Sequence, residues 1–226
     1  MNLAQFQAIT LSLMVAAAAV VLALPWAVAA GWVLARCRFP GKTAFDTLVN
    51  LPLVLPPVVT GYLLLLLLGR NSWLGSWLEQ TFGIALVFDW KGAAIASAVV
   101  AFPLLVRSIR LAVDSVDRRL ESVARTLGAS PWDTFWSVTL PLSRKGIVAG
   151  CLLAFARSLG EFGATIMIAG NIAGETQTIP LFIYEQLQTP GGENQILIVL
   201  LFSILLSAVA LAISGRLESH NRSGET

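Results

Sequence analysis

The chain has 226 residues, of which 56% are hydrophobic and 12% charged, and a net charge of +2. Soluble domains carry about 25% charged residues, so a mean hydropathy of +0.77 excludes a soluble globular fold and indicates an integral membrane protein. Two cysteines and one histidine, His220, leave no cluster for a His/Cys metal site and no basis for histidine catalysis; Cys37 lies in a loop and Cys151 in a span, so no disulfide is expected.

Five apolar stretches, residues 9–35, 51–68, 92–113, 146–169 and 195–214, are long enough to cross roughly 30 Å of hydrocarbon as helices. The unbroken leucines from Leu63 to Leu68 do not alternate as the strands of a membrane barrel must. The expected fold is therefore an all-α membrane protein, one polytopic bundle over residues 1–226.

The first span carries Pro25 near its middle, and the residues before it hold no Lys or Arg. A cleaved signal peptide has a basic start, so this span is expected to be retained. RCRFPGK (Arg36 to Lys42) is a short basic loop. Pro52, Pro56 and Pro57 then crowd the start of the second span. They imply either a bent helix start or a broken helix lining a path, where irregular backbone is tolerated only against protein or water.

Between residues 70 and 91, Trp73, Trp77, Phe82, Phe88 and Trp90 suggest a helix at the membrane interface, or a platform for a partner. The third span is rich in small residues (Ala93, Ala94, Ala96, Ser97, Ala98) and contains Pro103. In the fourth, Gly146, Gly150, Ala154 and Ser158 recur every four residues. They form a smooth stripe that lets another helix approach closely, whether from this chain or from a second copy. The outer loop Asn171–Asn194 has no Lys or Arg, and residues 215–226 form a short polar tail, expected to be disordered.

Arg157 and Glu161 are the charged residues well inside a predicted span. Four apart, they share a helix face and can pair. A charge at membrane depth must face the bundle interior or water. The pair is therefore a structural lock or, alternatively, places positive potential along an anion pathway.

Charge placement sets the orientation. With the N-terminus outside, twelve Lys and Arg (Arg36, Arg38, Lys42, Arg107, Arg110, Arg118, Arg119, Arg125, Arg144, Lys145, Arg216, Arg222) fall on the cytoplasmic side. Arg70 and Lys91 are left outside. That bias gives N-out, C-in.

Residues 114–144 are the most telling. Val116, Leu120, Val123, Ala124 and Leu127 lie on one helix face, with Asp117, Arg118, Glu121 and Arg125 on the other. Gly128 sits where a helix C-cap needs positive φ. Ser130, Pro131 and Asp133 read as N-cap, N1 and N3 of a new helix. Its apolar face is Trp132, Phe135, Trp136 and Thr139, and Pro141 is expected to stop it. A rigid, doubly capped element held at one membrane face can transmit force from a soluble partner.

This segment resembles the EAA loop of binding-protein-dependent ABC importers, EAA-x3-G-x9-I-x-L-P. Ser122, Val123 and Ala124 stand at its first three places, Gly128 at the glycine, Val138 at the isoleucine, and Leu140 and Pro141 at the end. Serine replaces glutamate and valine replaces alanine; Glu121, one place earlier, offers an acidic group. LPLVLPPVVTGYLLL (from Leu51), FPLLVRSIRLA (from Phe102), FARSLGEFGATI (from Phe155) and NIAGETQTIPLFIY (from Asn171) look like the molybdate permease branch, with sulfate permeases similar around GEFGA.

The resemblance implies a type I (MetI-like) permease subunit of an ABC importer in the bacterial inner membrane. It would work as a homodimer in lipid with cytoplasmic ATPase subunits and a periplasmic oxyanion-binding protein. The chain carries no GxxxxGK[ST] phosphate loop, so ATP hydrolysis is expected on a partner; no cofactor and no nucleic acid are expected. The expected cargo is molybdate, with tungstate, sulfate or another oxyanion as alternatives. An ion-coupled secondary transporter is a further rival, but it needs more intramembrane acids than Glu161 supplies.

Overall fold

The computed structural model describes residues 2–222, the side chains at 193–194 and 216–222 excepted. Eleven helices follow one another: α1 (Leu3–Arg36), α2 (Lys42–Val54), α3 (Pro57–Leu68), α4 (Trp73–Phe82), α5 (Trp90–Asp114), α6 (Arg118–Thr126), α7 (Pro131–Thr134), α8 (Leu140–Leu159), α9 (Gly163–Ala169), α10 (Ile179–Gln188) and α11 (Glu193–Arg222). A π-helical turn, Phe135–Thr139, joins α7 to α8. No strand occurs among the described residues.

Among the described residues, four helical stretches are long and apolar enough to cross a membrane, and α2 with α3 makes a fifth if counted as one bent span. At the centre α1 packs along α5. Ala16, Ala19, Ala23, Ala27 and Leu34 of α1 and Ala98, Leu105 and Ile109 of α5 are all buried. Without a hydrophobic drive inside lipid, such pairs are held by close van der Waals fit, which small residues permit. Gly31 shows how close: a Cβ there would lie 2.8 Å from Cγ2 of Ile109. Pro25 does not interrupt α1, which runs as a single helix of 34 residues.

The stripe on α8 faces α5 of the same chain. A Cβ on Gly146 would lie 2.5 Å from Ala112 Cβ, and one on Gly150 2.8 Å from Ser108 Cβ. Ala154 is 1% exposed in the same cluster, and Ser158 is buried at its end.

Three sequence expectations are corrected. The second span starts at Lys42 and bends by 109° between Val54 and Pro57. Proline disfavours the helical region in the residue before it, and Leu55 and Pro56 are accordingly extended (ψ 141 and 133). The fourth span is not one helix over 146–169: α8 ends at Leu159 and α9 begins at Gly163. The polar tail continues α11 as helix through Arg222, while residues 223–226 lie outside the described residues.

Candidate functional site

Two places concentrate charge and irregular backbone. The first is the meeting of the two broken helices. A Cβ on Gly163 would lie 3.1 Å from Pro57 Cβ, and one on Gly61 2.6 Å from the Ala164 carbonyl oxygen. The start of α9 is thus pressed against the start of α3. Irregular backbone at membrane depth has to be covered by protein or line water, and Glu161 supplies part of that cover. Its side chain is 2% exposed and accepts a hydrogen bond from the Ala164 N–H at 2.9 Å. Arg157 pairs with its other oxygen at 3.0 Å but remains 36% exposed. Glu161 therefore acts as a buried cap, whereas the Arg157 guanidinium is partly open.

The second place is the helix–turn–helix. Asp117 caps α6 by accepting from the Arg119 N–H at 2.8 Å. At the other end Gly128 has φ +95. The Ala129 N–H reaches the Ala124 carbonyl at 3.1 Å and the Gly128 N–H reaches that of Arg125 at 3.0 Å, the paired closure of a glycine-terminated helix. Ser130 and Asp133 then exchange the reciprocal hydrogen bonds of a capping box, both at 3.1 Å.

The sequence predicts that Pro141 stops the second helix, but the helix runs on through it. Pro141 lacks the N–H that an α-helix would direct to Ser137 and its ring crowds that turn. The π turn widens the helix just before it, with the Leu140 N–H bonded to Phe135, and the axis continues into α8. Val138 lies within this turn and Leu140 packs against the central core.

The orientation of α6 reverses the usual arrangement. None of its residues is buried, and Leu120, Val123 and Leu127 are 49%, 56% and 83% exposed. Ala124 is half-buried and Ser122, whose hydroxyl donates to the Arg118 carbonyl, is exposed. The polar side faces the bundle: Glu121 accepts from Arg36 Nε at 3.0 Å and from Thr139 Oγ1 at 2.7 Å. Beside it, Phe135 is buried, edge-on to Trp32 and stacked on Trp132, while Trp132 and Trp136 stay exposed. The apolar face of α6 is thus left exposed on a charged, capped scaffold.

Sequence reasoning missed the link between Arg36 and Glu121. They are 85 residues apart, and Arg36 counted only as one of many basic residues near a span end. It also left the outer loop as a family marker. The structure shows Gln177 bonded to Asn171 and Glu185, and the Ile179 N–H donating to Ser12 Oγ at 2.7 Å. These polar groups hold the loop onto α1 and α10. Two apolar grooves, about 600 and 740 Å³, flank α1. Lined by residues such as Trp26, Val33, Phe45 and Phe102 on one side and Val28, Trp132 and Leu140 on the other, they suit acyl chains and offer nothing to an anion.

The chain is a multi-span helical bundle with a broken-helix junction inside and a capped helix–turn–helix at one end. A family model described as the binding-protein-dependent transport system inner membrane component matches residues 27–223, and the chain belongs to that family. It is 54% identical over 210 residues to the molybdenum transport system permease protein ModB of Haemophilus influenzae, covering 93% of this chain and 92% of that one. To the sulfate transport system permease protein CysW of Synechococcus elongatus it is 38% identical over 216 residues, covering 93% and 75%. The crystal structure of a bacterial alginate ABC transporter, in complex with an alginate pentasaccharide-bound periplasmic protein, superposes with a TM-score of 0.73 at 16% identity, covering 95% of this chain and 78% of that one. The fold is that of type I ABC importer permeases, and the protein is a multi-pass component of the inner membrane.

Proposed function

We propose that this chain carries molybdate through the membrane as the permease subunit of an ABC importer, with the N-terminus outside and the C-terminus in the cytoplasm. Two copies enclose the pathway, cytoplasmic ATPase subunits dock on residues 114–144, and a periplasmic binding protein delivers the oxyanion. The observation that carries this reading is the outward-turned apolar face of α6, set between two caps on a scaffold continuous with α8. A helix that merely lay against its own bundle would turn that face inward. The higher identity to a molybdenum permease than to a sulfate permease supports the choice of oxyanion.

Arg157 supports the second copy. It lies 12 residues beyond Lys145 on α8, about 18 Å along the axis, and is 36% exposed in the single chain. A charge facing lipid at that depth is costly. The exposed side of Arg157 therefore looks onto a water-filled path between copies, where it attracts an anion while Glu161 restrains it.

Co-expression of this chain with its cognate ABC ATPase provides the test. The pair is expected to co-purify in detergent. Isolation of the permease free of any ATPase under conditions that keep it folded would reject the docking surface.

A further inference from the structure

We infer that Arg36 is a positioning residue for coupling: it ties α6 to the inner end of α1, so that α1 as well as α8 carries the movement of the docked helix. The inference rests on the reading of residues 114–144 as the ATPase-docking element. Its basis is how little else holds α6. The helix buries none of its nine residues, so packing does not fix its angle. Its two ends are the short joint at Ser115–Asp117 and the glycine turn at Gly128, and a helix hung between two such joints would pivot.

Polar bonds remove that freedom. Arg36 is the last residue of α1, and its side chain is 9% exposed. Its Nε donates to Glu121 Oε1 at 3.0 Å and its Nη2 to the Val116 carbonyl at 2.8 Å, so one planar group grips both the body of α6 and the joint before it. Glu121, 12% exposed, also accepts from Thr139 Oγ1 in the π turn at 2.7 Å. A return strap runs the other way, from Arg118 Nη2 to the Ala35 carbonyl at 3.3 Å. Three elements, α1, α6 and the π turn, therefore share one carboxylate. Charge-assisted hydrogen bonds with fixed donor geometry are the strong, directional kind, and arginine's fork cannot be replaced by a lysine point charge.

Two consequences follow. Glu121, which the sequence pattern offers as the acidic docking group, is spent inside the chain, and docking falls to the apolar face. The movement of α6 also enters the α1–α5 pair, because α1 packs along α5 through Leu34, Leu105 and Ile109.

The test uses the full transporter in liposomes, with Arg36→Gln, Arg36→Lys, Glu121→Gln and Thr139→Val. The readout is the ratio of hydrolysis stimulated by oxyanion-loaded binding protein to basal hydrolysis. Thermal stability and ATPase co-purification are measured alongside. Arg36→Gln is expected to keep its ATPase and lose about tenfold in the ratio; Glu121→Gln should match it, and the double variant should be no worse than either single one. Arg36→Lys should recover only part of the loss, and Thr139→Val should lose about threefold. On a Cys37→Ser, Cys151→Ser background, Arg36→Cys with Glu121→Cys should regain the ratio when joined by a reversible bifunctional thiol reagent.

A wild-type ratio in both Gln variants overturns the inference. So does loss of the ATPase from Glu121→Gln but not from Arg36→Gln, which would make Glu121 a direct docking contact. If either Gln variant fails to fold, Thr139→Val and Arg36→Lys decide: wild-type ratios in both overturn the inference. Failure of the unmodified transporter to assemble or respond would reject the docking reading itself.

Discussion

Glu161 shows how one residue can serve both halves of a broken helix. Its carboxylate fills the first turn of α9 and neutralises Arg157 on α8, both at about 3 Å. Removing one partner of a buried charged pair leaves the other uncompensated, which costs more than the pair itself contributes. Glu161→Ala is therefore expected to lower the unfolding free energy in detergent by about 2 kcal/mol, the partial exposure of Arg157 moderating the loss. Glu161→Gln keeps an oxygen for the Ala164 N–H and should lose about 1 kcal/mol. Thermal unfolding of the purified variants checks the order, and equal losses would remove the capping role. Arg157→Gln strands the buried Glu161 carboxylate and should also lower stability, and the folded fraction should transport less. Unchanged uptake would leave the pair purely structural.

Elements differ in how far their residues specify them. The caps are local: Gly128, Ser130 and Asp133 satisfy backbone groups within four residues of themselves, so sequence spacing locates them, whereas Asp117, read only as part of the polar face, emerges as the α6 N-cap from the structure. The small-residue stripe is half local. The spacing of Gly146 and Gly150 announces a close approach, but its target, Ala112 and Ser108, depends on the whole bundle. The broken fourth span had no local signal strong enough to read. GEFGA carries no proline, and an apolar run looks alike whether it forms one helix or two. The inward turn of the polar side of α6 was likewise illegible, because it depends on Arg36, far away in sequence. The same element yields a prediction. Ala124→Asp places a charge on the docking face, and Gly128→Pro forbids the φ of +95 that closes the helix. Both should leave membrane insertion intact and abolish stimulation of hydrolysis. Normal transport by either would remove the coupling role from residues 114–144.

Across the whole molecule, a stiff frame packs beside a less regular junction. The α1–α5–α8 pack is built from small residues in contact, and it carries the helix–turn–helix through Arg36 on one side and the π turn on the other. Packed on α5, the short helices α3 and α9 meet at glycines and a proline. α3, with 12 residues, spans only about 18 Å and cannot cross a membrane alone. Movement is expected there, where helix ends can shift without breaking long runs of hydrogen bonds. A frame that receives force and a junction that yields to it are what an ATP-driven permease needs. No oxyanion cage is required in this chain if a binding protein supplies selectivity.

The most direct test is ATP hydrolysis by this chain reconstituted in liposomes with its ATPase and binding protein, with molybdate, tungstate or sulfate supplied in turn. Stimulation by molybdate and tungstate, and not by sulfate, is the predicted result. Stimulation by sulfate alone would contradict the choice of oxyanion, and no stimulation by any of the three in an assembled complex would contradict the importer.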